Sequence, residues 1–498
     1  MPLAGAIARH AGERPHAPAF RMEGRVFTYG GLVADACRIL HAIEQAALQA
    51  TEQSVLSGRV RLIALEPGNH PLFAAAFIAA TSGGNCAALI DPHLPDSTRQ
   101  RMKEKLRPEI VIRADGDLLY LDVPSTRQTH SLDAFDGSSP IRIGDGAEPF
   151  LVVFTSGSTG EPKAIIRDRQ SWRLSLEIGQ NFFGIGQETT TYAPGPLAHG
   201  LALYALVESL AAGAEFIGAR HFEPRQALDI VHGAKVKRLV LVPTMLRRLC
   251  DEAEGAQVIC VEKITVAGAK LTPADRSAAA RSFPAAEVIE YYGASELGFI
   301  TVNGAHGHHS PTAVGKAFPR VRLAILDDRG NSLPPGATGT IFVQSALISD
   351  GYIVGGDNVG FRRHGRLATV GDLGFLDEDG TLHLLGRAGG MVLSGGNNIY
   401  PSEVESAIMA AAGVQSVLVF GLDHPDLGSE LVAVVQPNDD RFEREALQRH
   451  LADALPRYKH PRKVWLCREM PMTASGKIAA GQLRQWIAEE NGALERLF

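Results

Sequence analysis

"RVRLIALEPGNHPLFAAAFIAATSGGNCAALIDPH", residues 59–93, decides the fold. RLIALE is an apolar run of strand length, PGNHP a turn, LFAAAFIAAT an apolar stretch of helix length closed by Gly-Gly, and CAALI a second strand. Strand, helix and strand in this order make a βαβ unit, and parallel α/β packing follows. The same cadence returns at 238–268, where RLVLV leads into PTMLRRLCDEA, a helix opened by Pro243, and then into KITVAG.

Further along the rhythm changes. VRLAILDDRGNSLPPGATGTIFV (321–343) reads as strand, DDRG turn, Pro-rich loop and strand, an antiparallel element. ATVGDLGFLDEDGTLHLL (368–385) turns on DEDG in the same way. Beyond the Gly-rich joint GRAGG (386–390) the texture is α+β: SEVESAIMAAAG a helix, VQSVLVFGL and SELVAVVQP strands, FEREALQRHLADAL a helix. That joint marks the expected boundary between a large first domain, 1–386, and a small second one, 391–498.

A chain of 498 residues is too long for one ordinary core, and its 45% hydrophobic and 21% charged residues are usual for a globular protein. With 49 basic and 55 acidic residues the net charge is −6, which argues against a general nucleic-acid binder. The five cysteines are scattered without a CxxC pair, so a reducing compartment and free thiols are expected. No secretory h-region is evident at the start, and the longest apolar stretch, LFAAAFIAA, is about half of what a bilayer span requires. A cytoplasmic protein without a membrane span is the expectation.

The chemistry starts at VVFTSGSTGEPKAI (152–165). A β-branched strand runs into four hydroxyl residues, Thr155, Ser156, Ser158 and Thr159. Gly157 and Gly160 free the backbone to bend, and Lys163 adds charge, a set of donors suited to an anion. It is not a Walker A loop: Lys163 follows Pro162 and precedes Ala164, where that motif has Gly before and Ser/Thr after. Neither is it GxGxxG. Taken alone, the stretch also reads as a solvated Ser/Gly turn.

FTSGSTGEPKAI, EYYGASELG, TVGDLGFLDEDGTLHLLGRAGGMVLSGGNNIYPSEVE and PMTASGKI stand together, in this order, between residues 152 and 478. Together they resemble the signature segments of the adenylate-forming superfamily: acyl- and aryl-CoA ligases, nonribosomal adenylation domains and luciferases. The resemblance implies an α/β fold, with a large N-terminal domain of α/β subdomains plus a small β-barrel-like subdomain. A hinge would lie at 387–390, followed by a small mobile α+β domain. It implies ATP-dependent activation of a carboxylic acid to acyl-AMP and pyrophosphate, then transfer to a thiol with release of AMP.

By this resemblance, residues 155–163 hold the β- and γ-phosphates of ATP, Tyr292 stacks on adenine, and Gly268 and Ala269 flank the base. Ser295 stands where the family usually has threonine and keeps the hydroxyl for the α-phosphate. Glu296 is the implied Mg²⁺ partner, a hard carboxylate for a hard cation. Asp372 accepts from the ribose hydroxyls, although Val370 replaces the usual threonine before Gly371. Arg387 contacts ribose and phosphate, and Lys477 is the adenylation lysine, aimed at the α-phosphate from the small domain. Gly389 takes the hinge position usually held by aspartate or lysine.

PGPLAHGLALYAL (194–206) resembles the segment lining the acyl pocket, with His199 as gate and Leu203, Gly293 and Ala294 as further pocket residues. No acidic residue is near this segment in sequence, so an acyl or aryl acid is expected rather than an amino acid. Ser394, Gly395 and Gly396 resemble the CoA-ligase form of the thiol channel, which makes CoA the expected co-substrate. The alternatives are a ligase loading an acyl carrier protein and, from another class, a non-catalytic nucleotide-binding regulator. The triple His306, His308 and His309 lacks acidic or thiol partners and makes a poor metal set.

Overall fold

The computed structural model describes residues 4–50, 54–56, 58–156, 162–304, 310, 312–354, 360–387, 390, 392–394, 397–424, 428–438, 442–473 and 476–498, with only the backbone at Thr155, Ser156, Pro162, Arg387, Leu393, Asn397, Asn398 and Gly428. The described strands form three sheets. In the first, of eight strands, Arg61–Glu66 lies parallel to Asn85–Leu89 in the register Ile63↔Ala87. The helix Phe73–Ala80 connects them, as the opening stretch predicts. All eight residues of that helix are buried, as befits a helix that is apolar on every side. One core cluster explains why: it joins Ile63, Leu65 and Leu89 of the first sheet to Phe20, Phe216 and Val240 of the second, with helix residues Phe73, Phe77, Ile39 and Leu206 between them. The two sheets thus share a central helical layer.

The second sheet runs parallel through Pro18–Met22, Glu215–Ile217, Thr190–Tyr192, Arg238–Leu241, Lys263–Val266 and Glu287–Ala294. It then turns antiparallel at Gly298–Asn303. The strand Ala313–Ala317 pairs with Gly298–Asn303 on one side and Leu382–Arg387 on the other. Through it the expected small β subdomain is joined edge-on to the large sheet. Within that subdomain Arg322–Leu326 pairs antiparallel with Gly339–Gln344, and Asp372–Leu376 with Leu382–Arg387, as the two turn signals predict.

The third sheet lies within residues 392–496 and has its own cores, around Val404, Leu431 and Leu447 on one face and Phe420, Val434 and Leu483 on the other. A domain with two such faces is a separate packing unit. Among the described residues no helix is long and apolar enough to cross a membrane.

Candidate active site

The strand Pro149–Ser156 returns as Pro162–Asp168, antiparallel, with Thr155 opposite Lys163. A Walker loop would pass into a helix here; this chain turns back as a strand, in keeping with the failed motif. Lys163 is 8% exposed, and its ammonium stands 5.7 Å from the ring centre of Tyr352. Tyr352 belongs to the edge strand Gly351–Val354, which pairs with Pro162–Asp168. Its hydroxyl donates to Glu296 Oε1 at 2.6 Å. Lys163, Tyr352 and Glu296 therefore form one row, and the cation is held over an aromatic face.

Ser295 and Glu296 sit in the turn between Glu287–Ala294 and Gly298–Asn303. A buried arginine braces that turn: Arg167 donates to the Ser295 carbonyl at 3.1 Å and to the Leu347 carbonyl at 2.6 Å. Burial lowers its basicity to about 10, with Glu296 among the charges that oppose the shift. Glu296 is buried and Ser295 exposed, so the serine lies open to a ligand while one oxygen of the carboxylate is turned to Tyr352.

Tyr292 and Asp372 come together, the tyrosine hydroxyl donating to Asp372 Oδ2. Asp372 is buried and begins its strand after Gly371, whose φ is +81°. The Gly371 N–H donates to Thr369 Oγ1 at 2.9 Å. A threonine thus supports this turn one residue before Val370, which is itself packed in the core.

Lys477 reaches the same edge from the small domain. Its Cε lies 3.7 Å from where a Cβ on Gly268 would stand, and Gly268, at φ +93°, follows the strand Lys263–Val266. The lysine turn is closed by Thr473, whose Oγ1 accepts from Lys477 N at 3.1 Å. Bonds that bridge the lobes include Thr244 Oγ1 to the Gly476 carbonyl at 3.2 Å, Arg247 to the Gln415 carbonyl at 3.2 Å, and Ser402 Oγ to the Leu385 carbonyl. Gly476 has φ +76°, and a Cβ there would lie 2.9 Å from Val242 Cγ2. Gly268, Tyr292 and Thr244 all follow or end strands of the parallel run, the position where open α/β sheets place their ligands.

The acid segment brings a correction. His199 Nε2 donates to Asp91 Oδ2 at 2.9 Å, so an acidic residue does adjoin it, from 108 residues away in sequence. Burial pushes the Asp91 carboxyl up, but hydrogen bonds from His199 and His93 outweigh this and hold it at about 2. Both of its oxygens are engaged, Oδ1 by the backbone N–H and ring of His93. Leu203 is fully buried in the central core, Gly293 is exposed and Ala294 half-buried. Ala269 is exposed beside Gly268.

Gly157, Ser158, Thr159, Gly160, Gly389, Gly395, Gly396 and the His306, His308 and His309 triple lie outside the described residues, as do the side chains of Thr155, Ser156 and Arg387. Ser394 is described, on a short strand against Asn397 and Gly428. Among the described residues no cluster of three His, Cys, Asp or Glu side chains could hold a metal. Sequence reading missed Asp91, Arg167, Thr244 and Tyr352; each acts across more than fifty residues, and no local spacing marks it.

The sequence matches the family model described as AMP-binding enzyme over residues 7–353, and that of the AMP-binding enzyme C-terminal domain over 403–477. It is 32% identical over 353 residues to the "Uncharacterized acyl--CoA ligase YhfT" of Bacillus subtilis, covering 71% of each chain. To the "Putative long chain fatty acid-CoA ligase VraA" of Staphylococcus haemolyticus it is 32% identical over 340 residues, 68% of this chain and 70% of the other. The fold superposes on ATP-bound MatB from Rhodopseudomonas palustris with a TM-score of 0.83 at 24% identity, covering 97% of this chain and 98% of that one. The chain belongs to the AMP-binding enzyme family, the adenylate-forming enzymes that include the acyl-CoA ligases.

Proposed function

We propose that this ligase joins a carboxylic acid to ATP, forming acyl-AMP and pyrophosphate, and then passes the acyl group to the thiol of CoA with release of AMP. The observation that carries the reading is the approach of Lys477, from the small domain, to Gly268, which follows the strand paired with the one that carries Tyr292, itself bonded to Asp372. In the first half-reaction the acid's carboxylate oxygen attacks the α-phosphorus and the bond to the pyrophosphate oxygen breaks. Anion meets polyanion, so catalysis is positioning and charge neutralisation. Lys477 serves the α-phosphate, with Ser295 as hydroxyl donor. Lys163 and the hydroxyls of 155–160 serve the leaving pyrophosphate. Tyr292, Gly268 and Ala269 bound the adenine, and Asp372 and Arg387 hold the ribose.

Glu296 fits Mg²⁺ as a single buried carboxylate rather than as part of a protein cage, since Mg²⁺ commonly takes one or two carboxylates together with substrate phosphates and water. Bound there, the ion would supply charge neutralisation of the triphosphate. For the second half-reaction the small domain turns about 387–390, withdrawing Lys477 and bringing 394–396 towards the thiol. An acyl or aryl acid remains the favoured substrate, because the Asp91 side chain is 4% exposed and turned onto His93 and His199, and so is poorly placed to pair with an α-ammonium.

A panel of carboxylic acids with ATP and Mg²⁺, scored by pyrophosphate release and repeated with CoA and with apo and holo carrier protein, tests this. Pyrophosphate with an acid and acyl-CoA with CoA are expected. Transfer to holo carrier protein alone would replace CoA as acceptor. Nucleotide binding without pyrophosphate from any acid would make the chain a non-catalytic binder.

A further inference from the structure

The segment 194–199 is held from two sides by residues that follow strands of the other sheet. Asn69, just after Arg61–Glu66, donates to the Gly195 carbonyl at 3.1 Å and accepts from Leu197 N at 2.7 Å. Asp91, just after Asn85–Leu89, takes the His199 ring at 2.9 Å. The Asp91 carboxylate is itself fixed before it meets that ring: Oδ1 accepts from His93 N and from His93 Nδ1, each at 2.9 Å, in a local turn. Oδ2 is thereby aimed across the gap between the sheets. The Asp91 side chain is 4% exposed and that of His199 37% exposed, so the imidazole is anchored by its buried edge and presents its other edge outwards. A carboxylate can only accept, so the anchored nitrogen, Nε2, carries the proton.

We propose that Asp91 is a positioning residue for the acid-binding site: through Nε2 it fixes the tautomer and orientation of His199, which then turns its Nδ1 edge, an acceptor, to the acyl part of the substrate and not to its carboxylate. This rests on the reading of 194–206 as the acid pocket. An outer carboxylate that orients a ring has the geometry of the supports that hold functional histidines elsewhere. A freely turning His199 would have to be ordered each time an acid binds, at a cost falling on that substrate and not on ATP.

The test compares Asp91→Asn, His199→Ala and the double variant with the parent enzyme. The expected result for Asp91→Asn is a rise of about tenfold in KM for the acid, with KM for ATP unchanged and kcat little altered, an effect of the size of one charge-assisted hydrogen bond. In the His199→Ala background the same substitution should add nothing. Additive losses, or equal losses towards acid and ATP, would reduce Asp91 to a structural residue and overturn the proposal. Imidazole ¹⁵N shifts of His199 give a readout independent of turnover: Nε2–H in the parent, and a mixture of tautomers in Asp91→Asn. Unchanged shifts would also overturn it. Should no acid be turned over at all, the functional reading fails while the shifts still decide whether Asp91 holds the ring.

Discussion

The two lobes contribute to the site in opposite ways. On the large lobe the polar groups are buried and tied to one another before any ligand arrives: Glu296 by Tyr352, Asp372 by Tyr292, the 295–297 turn by Arg167. On the small lobe Lys477 sits on a short turn beside a positive-φ glycine, and its loop meets the large lobe through the Thr244 bond to the Gly476 carbonyl. The large lobe is a preorganised receptor, of the kind that spends no reorganisation energy during reaction. The small lobe delivers a charge by an arrangement weak enough to be undone. An enzyme with two half-reactions at one site requires both kinds of construction.

The sharpest way to break this contrast is Lys477→Ala. It should lower adenylation by about 10²–10³-fold, as loss of a preorganised charge stabiliser does. Thioester formation from supplied acyl-adenylate should be unchanged, as measured by single turnover from each side. Equal loss in both halves would place the lysine in general binding. A smaller effect is expected from Thr244→Val, which removes one bond between the lobes. A hydrogen bond contributes about 0.5–1.5 kcal/mol net, so adenylation should fall about two- to tenfold while thioester formation stays level. A fall in both would show that the contact supports the fold and not the closed arrangement.

The smallest effect concerns Glu405, which lines a cavity of about 440 Å³ with Leu385, Val392, Phe420 and Arg484. Where the large-lobe carboxylates have tyrosine hydroxyls, Glu405 accepts from Val419 N at 2.9 Å. Burial raises it from 4.5 to about 7, against the opposing effect of that N–H. A raised acid favours its neutral form in the folded chain. Its stabilising contribution is therefore complete below pH 4.5 and lost as pH rises through about 7. Glu405→Gln should flatten this part of the Tm-against-pH curve, by a few degrees at about 2–4 °C per kcal/mol. A profile identical to the parent's would mean that the carboxyl is already solvated.

Legibility in the sequence follows the range of the interactions. The βαβ units at 59–93 and 238–268 and the hairpins at 321–343 and 368–385 could be read because periodicity and turn chemistry are local. The strand Ala313–Ala317, which joins the two halves of the large sheet, went unread: AVGKA has neither a long apolar run nor clean alternation. In the site, the motifs supplied Lys477, Glu296, Asp372 and Tyr292 as separate assignments. What they could not supply was who holds whom. Sequence nearness suggested an acid-free pocket around His199, yet Asp91 reaches it from the end of a strand in the other sheet. Such pairs are made by topology, not by spacing.

Gly476 carries one more consequence. The loop passes Val242 with a bare backbone, in a conformation that side chains rarely adopt. A methyl group added by Gly476→Ala would press on Val242 and wedge the lobes apart there, removing no reactive side chain but drawing Lys477 back with its loop. Such an enzyme would consume an activated acid given to it yet be slow to make one. The two chemical steps would be separated by steric means alone.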